Sequence, residues 1–243
     1  MSTKYFDSVR PTYLENWPDD LHRLSIVSMP IKLDAHEAMC LGATIIDWGE
    51  AFCTKFNLNY FDAKAVVAKI AMKVCFVLHG FPGQCGFLRL GSRSPKDSWE
   101  GQRHGFRIKA DDENPLRIIQ DCSERIYEDL MLALQEEYAP TLWVREWLEI
   151  EKWQEWRCFM RGRKLVGISQ GNYLDGKIAE CVEHCESVKW AIGQFFPRFC
   201  DASHLDDVVF DVIVKRKSYT PTDGRHSRCA RCWKGRILSP AQR

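Results

Sequence analysis

Residues 87–97 combine the groups that a phosphate-binding loop needs. An apolar strand containing Arg89 leads into Gly91 and a short polar loop. Phosphate binding requires approachable backbone N–H groups, hydroxyl donors and cations. The loop supplies these groups and a carboxylate in Ser92, Arg93, Ser94, Lys96 and Asp97. A solvated connecting loop has the same composition, so the residues alone leave both interpretations open.

Two further arginines lie inside apolar segments that read as strands. The two-residue period of a strand places Arg145 on one face with Trp143 and Trp147, and it groups Arg157 with Glu155. A guanidinium flanked by aromatic residues requires an anionic partner or an aromatic face. The arginines therefore either bind a ligand or form structural ion pairs with neighbouring acidic residues, Glu146 or Glu155.

Asp211 interrupts an apolar, β-branched run at residues 208–214. A run that is apolar on both faces predicts a strand covered on both sides, where an unpaired carboxylate is costly. A cation must therefore meet Asp211. Mg²⁺ is favoured if a nucleotide lies nearby, because this ion prefers one or two carboxylates together with phosphate oxygens. A salt bridge at the end of the strand is the alternative.

The elements that position these residues follow from hydrophobic periodicity. Apolar residues at helical spacing predict helices over residues 63–79, with Asp62 as the N-cap, and over 116–137 and 178–196. Strands are predicted at 24–33, 87–90, 142–148 and 208–214, with a hairpin of 156–160 and 164–169. The back half thus runs strand, hairpin, helix, strand, which indicates an α+β fold.

Composition and charge exclude several classes of protein. The chain has 243 residues, of which 45% are hydrophobic and 28% charged, as in ordinary globular domains. No apolar run reaches the roughly 18–20 residues that span a bilayer, and no apolar signal core follows the N-terminus, so we expect a cytoplasmic protein. The odd number of scattered cysteines, eleven, predicts free thiols. A net charge of +1 gives no reason to expect specific nucleic-acid binding.

The segment from Ser227 to Arg243 differs from the rest of the chain. It contains five basic residues and no acidic one. Its Cys229 and Cys232 form a C-x-x-C pair, but a structural zinc site usually needs two such pairs, so zinc is disfavoured. A basic arm of this kind gives only salt-sensitive, unspecific contact with RNA.

Taken together, the segments resemble the cell-division-cycle-123 family, a branch of the ATP-grasp superfamily. The counterparts of four family motifs occur in the family's order between about Trp17 and about Val214. They are Arg89 with Ser92, Ser94 and Pro95-Lys96-Asp97; Arg145-Glu146-Trp147; Glu155-Trp156-Arg157-Cys158-Phe159 with Leu165 to Gln170; and Phe210-Asp211-Val212. Chance does not readily produce four ordered matches.

The resemblance implies an α+β, ATP-grasp-like fold, with a nucleotide cleft between two lobes and with ATP and Mg²⁺ as cofactors. Residues 1–140 would form the N-terminal lobe with its phosphate-binding strand and loop, 141–226 the C-terminal lobe, and 227–243 a basic, non-homologous tail. The implied cofactor-binding residues are Arg89, Ser92, Ser94, Lys96, Asp97, Trp143, Arg145 and Arg157. Arg157 and Asp211 would be catalytic, and Asp211 would be the first Mg²⁺ ligand.

The resemblance also gives individual positions a role. Arg89 stands where the family usually has a lysine that reaches the phosphates, and Ser92 replaces a family tryptophan. Lys96 and Asp97 match the family's Arg/Lys-Asp pair, and Arg157 matches a second phosphate-facing cation. The strand from Trp143 to Trp147 looks like the hinge whose backbone would meet the adenine edge.

The chain departs from the family after Asp211. The family's further strand with an Asp/Glu-x-Asn-Pro motif, which supplies the remaining metal ligands, has no counterpart. We hypothesise that residues from about Ser227 are out of frame or otherwise non-homologous, and that the last sheet strand is missing. A missing strand would leave an open sheet edge. We therefore expect weak Mg²⁺·ATP binding.

Two functions are compatible with the resemblance. One is a ligase-like enzyme that activates a carboxylate as an acyl phosphate for a protein or small-molecule acceptor. The other is a non-catalytic, ATP-dependent assembly factor for a protein partner, since eukaryotic relatives help to assemble eukaryotic translation initiation factor 2. The form Arg89-Leu90-Gly91-Ser92 looks more like bacterial or phage relatives, which weakens the second function.

Overall fold

The computed structural model describes residues 3–121, 123–171, 176, 178–216 and 228–236, with side chains for all of them except 3, 4, 216 and 228–236. The chain divides into two compact units. Unit 1 comprises Met1–Phe6, Tyr13–Glu15 and Val27–Trp147, and unit 2 comprises Asp7–Thr12, Asn16–Ile26 and Leu148–Arg243. The division after Trp147 differs from the predicted boundary at residue 140, because the strand at 141–146 pairs with strands of unit 1.

Unit 1 contains an antiparallel four-stranded sheet. Its strands are β1 (Ser28–Lys32), β2 (Cys85–Leu90), β3 (Ile108–Lys109) and β4 (Thr141–Glu146), in the order β1-β4-β2-β3. Its helices are α3 (Ala35–Ala43), α4 (Gly49–Phe56), α5 (Tyr60–His79), α6 (Trp99–His104), α7 (Arg117–Gln120) and α8 (Glu124–Gln135). Helix α1 (Thr3–Val9) begins in unit 1 and ends in unit 2.

The core of unit 1 lies on one face of this sheet. Leu88 and Leu90 of β2, together with Leu142 and Val144 of β4, belong to the same buried cluster as the inward face of α5. The predicted helix at 63–79 is confirmed, but its start is earlier than predicted. Asn59, not Asp62, is the N-cap, because its Oδ1 accepts from the N–H groups of the first turn at 2.8 and 3.3 Å.

The helix predicted over 116–137 is two helices. Helix α7 ends at Gln120 and α8 begins at Glu124. The interruption arises because the Ser123 hydroxyl caps α8 by accepting from the N–H of Ile126 at 3.3 Å. Periodicity continues across the break, since both helices bury their apolar residues in the same core.

Unit 2 contains a second antiparallel sheet. Its strands are β5 (Glu155–Arg161), β6 (Lys164–Gln170), β7 (Val208–Arg216) and β8 (Arg228–Arg236), in the order β6-β5-β7-β8. The hairpin predicted from the sequence joins β5 and β6 through Gly162, whose φ of +52° suits a glycine turn. The helices of unit 2 are α2 (Asp19–Arg23) and α9 (Ala179–Ala202).

Helix α9 covers one face of this sheet. The ring of Phe199 stacks on Phe210 of β7 with centroids 3.7 Å apart and an interplanar angle of 15°. The helix extends beyond the predicted end at residue 196 and contains Pro197. Among the residues that the structure describes, no helix combines the length and apolarity needed to cross a membrane.

The prediction that the last sheet strand is missing is not confirmed. Residues 228–236 form β8, which pairs antiparallel along β7 from Val209 to Arg216. Ladder hydrogen bonds join backbone groups, so a segment without the family motif can still supply a strand. The register places Lys234 opposite Asp211.

Candidate functional site

The predicted site residues on the sheet of unit 1 share one of its faces. Arg89 of β2 lies directly opposite Trp143 of β4, and Phe87 lies opposite Arg145. Directly opposite residues project to the same side of a sheet, as do residues two apart on one strand. The two arginines and Trp143 therefore lie on the face opposite to the leucines of the core.

Arg89 is engaged within its own strand and loop. Its Nε donates to the carbonyl oxygen of Leu90 at 2.9 Å, and one terminal nitrogen donates to that of Gly91 at 3.2 Å. The side chain is 5% exposed. The guanidinium that the family pattern assigns to phosphate binding thus also fixes the first turn of the loop.

Glu15 closely approaches Gly91 and explains why a glycine stands there. A Cβ atom at position 91 would lie 1.5 Å from a Glu15 carboxylate oxygen. Glu15 also accepts from the Tyr138 hydroxyl at 2.8 Å and from Trp143 Nε1 at 3.2 Å. The space beside the loop backbone is therefore occupied by a carboxylate. Sequence reasoning missed Glu15, because these partners lie more than a hundred positions along the chain.

Arg93 pairs with two carboxylates of α8. Its Nε lies 3.0 Å from Asp129 Oδ1, and a terminal nitrogen lies 3.7 Å from Glu128. The Asp129 side chain is buried, and its Oδ2 has no hydrogen-bond partner in the described part of the chain. Burial raises the pKa of Asp129 above its usual value, although Arg93 opposes the shift. Nothing in the sequence marks this carboxylate, because it lies within a helical pattern.

Asp97 holds the N-terminus of α8. Its two oxygens accept from the Ser123 hydroxyl at 2.8 Å and from the N–H of Arg125 at 3.1 Å. Its neighbour Ser98 caps α6 and donates to Asp121 at 3.0 Å. The loop end is thus fixed by two helix caps.

Among the remaining predicted loop residues, Ser92 hydrogen-bonds to Asp129 and lowers the pKa of that carboxyl. Ser92 and Ser94 are half-buried, and the Ser94 carbonyl accepts from the N–H of Lys96 at 2.8 Å. The Lys96 side chain is exposed. Lys96 is therefore the cation of this loop that solvent reaches most readily.

Arg145 is fully buried on β4. Its Nε donates to the hydroxyl of Ser28, which lies directly opposite on β1, at 2.9 Å. Strand β4 pairs with β1 on one side and β2 on the other, so the backbone of Trp143 and Arg145 lies in the middle of the sheet. Backbone groups for an adenine edge would have to come from residues after Glu146, where pairing ends.

Arg157 and Asp211 form a two-bond ion pair on the sheet of unit 2. They are directly opposite on β5 and β7. Nε and one terminal nitrogen of Arg157 lie 2.8 and 3.2 Å from the two carboxylate oxygens. The Asp211 side chain is 4% exposed and that of Arg157 is 30% exposed. Asp211 is thus a carboxylate partner of Arg157 that the sequence interpretation did not pair with it.

This pair bears on the predicted Mg²⁺ site. Both oxygens of Asp211 face a guanidinium, and a metal ion there would have to displace it. Within the described residues, no three His, Cys, Asp or Glu side chains cluster as metal ligands. The residues as placed do not fit a Mg²⁺ ion at Asp211.

Comparison with known proteins identifies related sequences and folds. The D123 family model matches residues 83–225. Cdc123 from Schizosaccharomyces pombe has a similar structure, with a TM-score of 0.65 and 16% identity over 96% of this chain and 85% of that one. A C-terminally truncated form of the same protein gives a TM-score of 0.67 and 17% identity, over 95% and 84% of the two chains. No curated protein sequence matches significantly.

Proposed function

Because the chain belongs to the D123 family, we propose that it is an ATP-binding protein with an ATP-grasp-like pair of lobes. We assign the nucleotide phosphates to the cations of the family pattern in unit 1, which are Arg89, Lys96 and Arg145; Arg157 of unit 2 matches a further cation of that pattern. All four lie within the residues that the family model matches. The Arg89-Leu90-Gly91-Ser92 form looks more like bacterial or phage relatives than eukaryotic ones.

One observation carries the proposal. Each sheet has an apolar face covered by helices and an opposite face on which the arginines of the family pattern lie. Burying guanidinium groups on a sheet face is costly unless anions or hydrogen-bond acceptors meet them. Arginines held in fixed positions by neighbouring groups are suited to stabilise phosphate charge, because they need little reorganisation when the anion arrives.

When bound to a nucleotide, Mg²⁺ would neutralise charge on the phosphate oxygens. Since Arg157 engages Asp211, we propose that ATP affinity depends only weakly on Mg²⁺. A weak dependence on Mg²⁺ would affect catalysis more than ATP binding.

Isothermal titration with ATP tests the proposal. We expect measurable binding that changes less than about tenfold, or 1.4 kcal/mol, when EDTA replaces Mg²⁺. Replacing Lys96 by Met should weaken binding, because an exposed cation can be removed without disturbing the fold. The matched control is Lys164→Met, an exposed lysine on β6. Absence of ATP binding, or nanomolar binding only with Mg²⁺, would contradict the proposal.

Two outcomes of nucleotide binding remain to be separated by turnover. A ligase-like protein should release ADP or AMP when a carboxylate and an amine or thiol acceptor are supplied. A non-catalytic assembly factor should bind ATP and release neither. The Arg157–Asp211 pair favours the second outcome, since it occupies the carboxylate that the enzyme would use for metal.

A further inference from the structure

Helix α5 exposes a continuous apolar ridge on its outer side. Phe61, Met72 and Phe76 are 78%, 71% and 80% exposed. Together with Ala65 and Ala68 they recur at spacings of three and four residues, so they lie along one face of the helix. Contiguous apolar surface of this kind marks interaction sites in soluble domains.

A groove of about 590 Å³ runs beside this ridge, between α5 and the edge strand β1. Met72 and Phe76 form part of its wall, and Pro30 and Ile31 lie on the β1 side. All lining residues belong to unit 1. The groove is therefore a feature of a single compact unit.

The charge of the groove is one-sided. Lys32, Lys69 and Lys73 line it, and none of its lining residues is acidic. Lys73 also contacts Glu37 at 2.6 Å, but its side chain remains 49% exposed. On the other side of the ridge, a second groove contains Asp112 and Glu113. Positive potential is therefore concentrated on the β1 side.

We propose that this groove binds a segment of a partner protein in which acidic residues flank an apolar anchor. The anchor would pack against Met72 and Phe76, whose side chains cost free energy while exposed to water. Methionine adapts to differently shaped partners. Carboxylates of the segment would contact Lys32 and Lys69, which are exposed at the groove.

The sheet edge itself is a poor binding site. Backbone bonds join Val27 to Glu146 and Leu33 to Pro140, so the ladder to β4 uses the odd-numbered residues of β1. Pro30 therefore faces the free edge and offers no N–H group to an added strand. This position favours a segment held by side-chain contacts.

Charge also disfavours two other occupants of the groove, a second copy of this chain and the tail from Ser227. A symmetric contact with a second copy would bring these lysines against themselves. The tail from Ser227 carries five cations and no acidic residue, so the groove would repel it. Single-stranded nucleic acid could use the lysines, but the groove contains no arginine and its wall is mainly aliphatic, with a single aromatic ring, Phe76.

The test is selection from a random peptide library displayed on phage, with the full chain as target. Peptides that also bind a Met72→Ala/Phe76→Ala variant are removed before each round. Recovered peptides are synthesised, and their affinities are measured by fluorescence polarisation against the wild type, this variant and Lys32→Glu/Lys69→Glu. The control variant, Trp190→Ala/Lys164→Glu, alters an exposed aromatic and an exposed lysine in unit 2. Circular dichroism verifies that each variant folds.

We expect enrichment of peptides with Asp or Glu beside an aromatic or aliphatic anchor. Their affinity should fall at least about tenfold on both groove variants and stay unchanged on the control. Failure to enrich any peptide, enrichment of basic or uncharged peptides, or equal loss on the control would overturn the proposal. The proposal would also be overturned if a labelled oligouridylate bound more tightly than the peptides and lost this binding with the same variants. A dimer in sedimentation that Met72→Ala/Phe76→Ala dissociates would overturn it as well.

Discussion

The Arg157–Asp211 pair makes a quantitative prediction that separates an ion pair from a metal site. Replacing Arg157 by Met leaves a carboxylate that is 4% exposed without its counter-charge. Breaking a buried pair in this way costs about 3–5 kcal/mol, and we expect the lower end because Arg157 is 30% exposed and partly screened.

The converse change should cost less. With Asp211→Asn, the amide fills the same volume, and the guanidinium of Arg157 can turn towards water. We expect a loss of about 1–2 kcal/mol in the free energy of unfolding. The double variant should recover part of the loss, which gives a coupling energy of about 1–2 kcal/mol.

Urea denaturation followed by far-UV circular dichroism measures these differences, with and without Mg²⁺. If Asp211 were a metal ligand, Mg²⁺ at a hundred times its dissociation constant would stabilise the wild type by about 2.7 kcal/mol, and Asp211→Asn would remove this effect. We expect no such stabilisation. A coupling energy below about 0.5 kcal/mol, together with stabilisation by Mg²⁺, would refute the assignment of an ion pair.

Four further predictions concern the loop and helix α8 of unit 1 and the sheet edge of unit 2. Gly91→Ala should destabilise unit 1 by about 1–3 kcal/mol, because the added methyl group meets the Glu15 carboxylate. Adding Glu15→Ala should relieve this loss, and thermal melts of the two single variants and the double variant check it. Asp97→Ala should cost about 1 kcal/mol through the cap of α8 while leaving ATP affinity unchanged, and an affinity loss without a stability loss would contradict the cap. Because folding raises the pKa of Asp129, its contribution to stability is present below the pKa of the unfolded state and is lost as pH rises through the folded-state pKa. Thermal melts between about pH 3.5 and 7 should therefore show the melting temperature of Asp129→Asn rising relative to that of the wild type. Deleting the β8 segment should destabilise unit 2, whereas replacing it with an alternating Thr/Val strand should restore the melting temperature if backbone pairing alone matters.

Local patterns were sufficient to predict the three longest helices and most strands of the described residues. The apolar spacing of α5 and the β-branched run of β7 each predicted the correct element, because in each case the signal lies in the burial pattern of one short segment. The break between α7 and α8 was missed. It depends on Asp97 and Ser98, whose partners Ser123 and Asp121 lie 26 and 23 positions away.

The candidate site was predictable only in part. The sequence indicated that Asp211 needs a cation and that Arg157 needs an anion, but it could not pair them, because the register of β5 with β7 joins residues 54 positions apart. Glu15 carried no signal at all. Its role depends on the approach of a short helical turn to Gly91, which only the folded chain specifies.

Closing a sheet edge and binding a metal ion place different demands on a strand. Closing a sheet edge requires backbone N–H and C=O groups, and nearly any sequence can supply them. Binding a metal ion requires carboxylate or amide oxygens at defined register positions, and only specific residues supply those. In this chain the edge of β7 is paired, while the position opposite Asp211 is a lysine and the carboxylate itself faces Arg157. A strand without metal-binding residues can therefore still preserve the fold of unit 2, which is why stability and Mg²⁺ dependence must be measured as separate quantities.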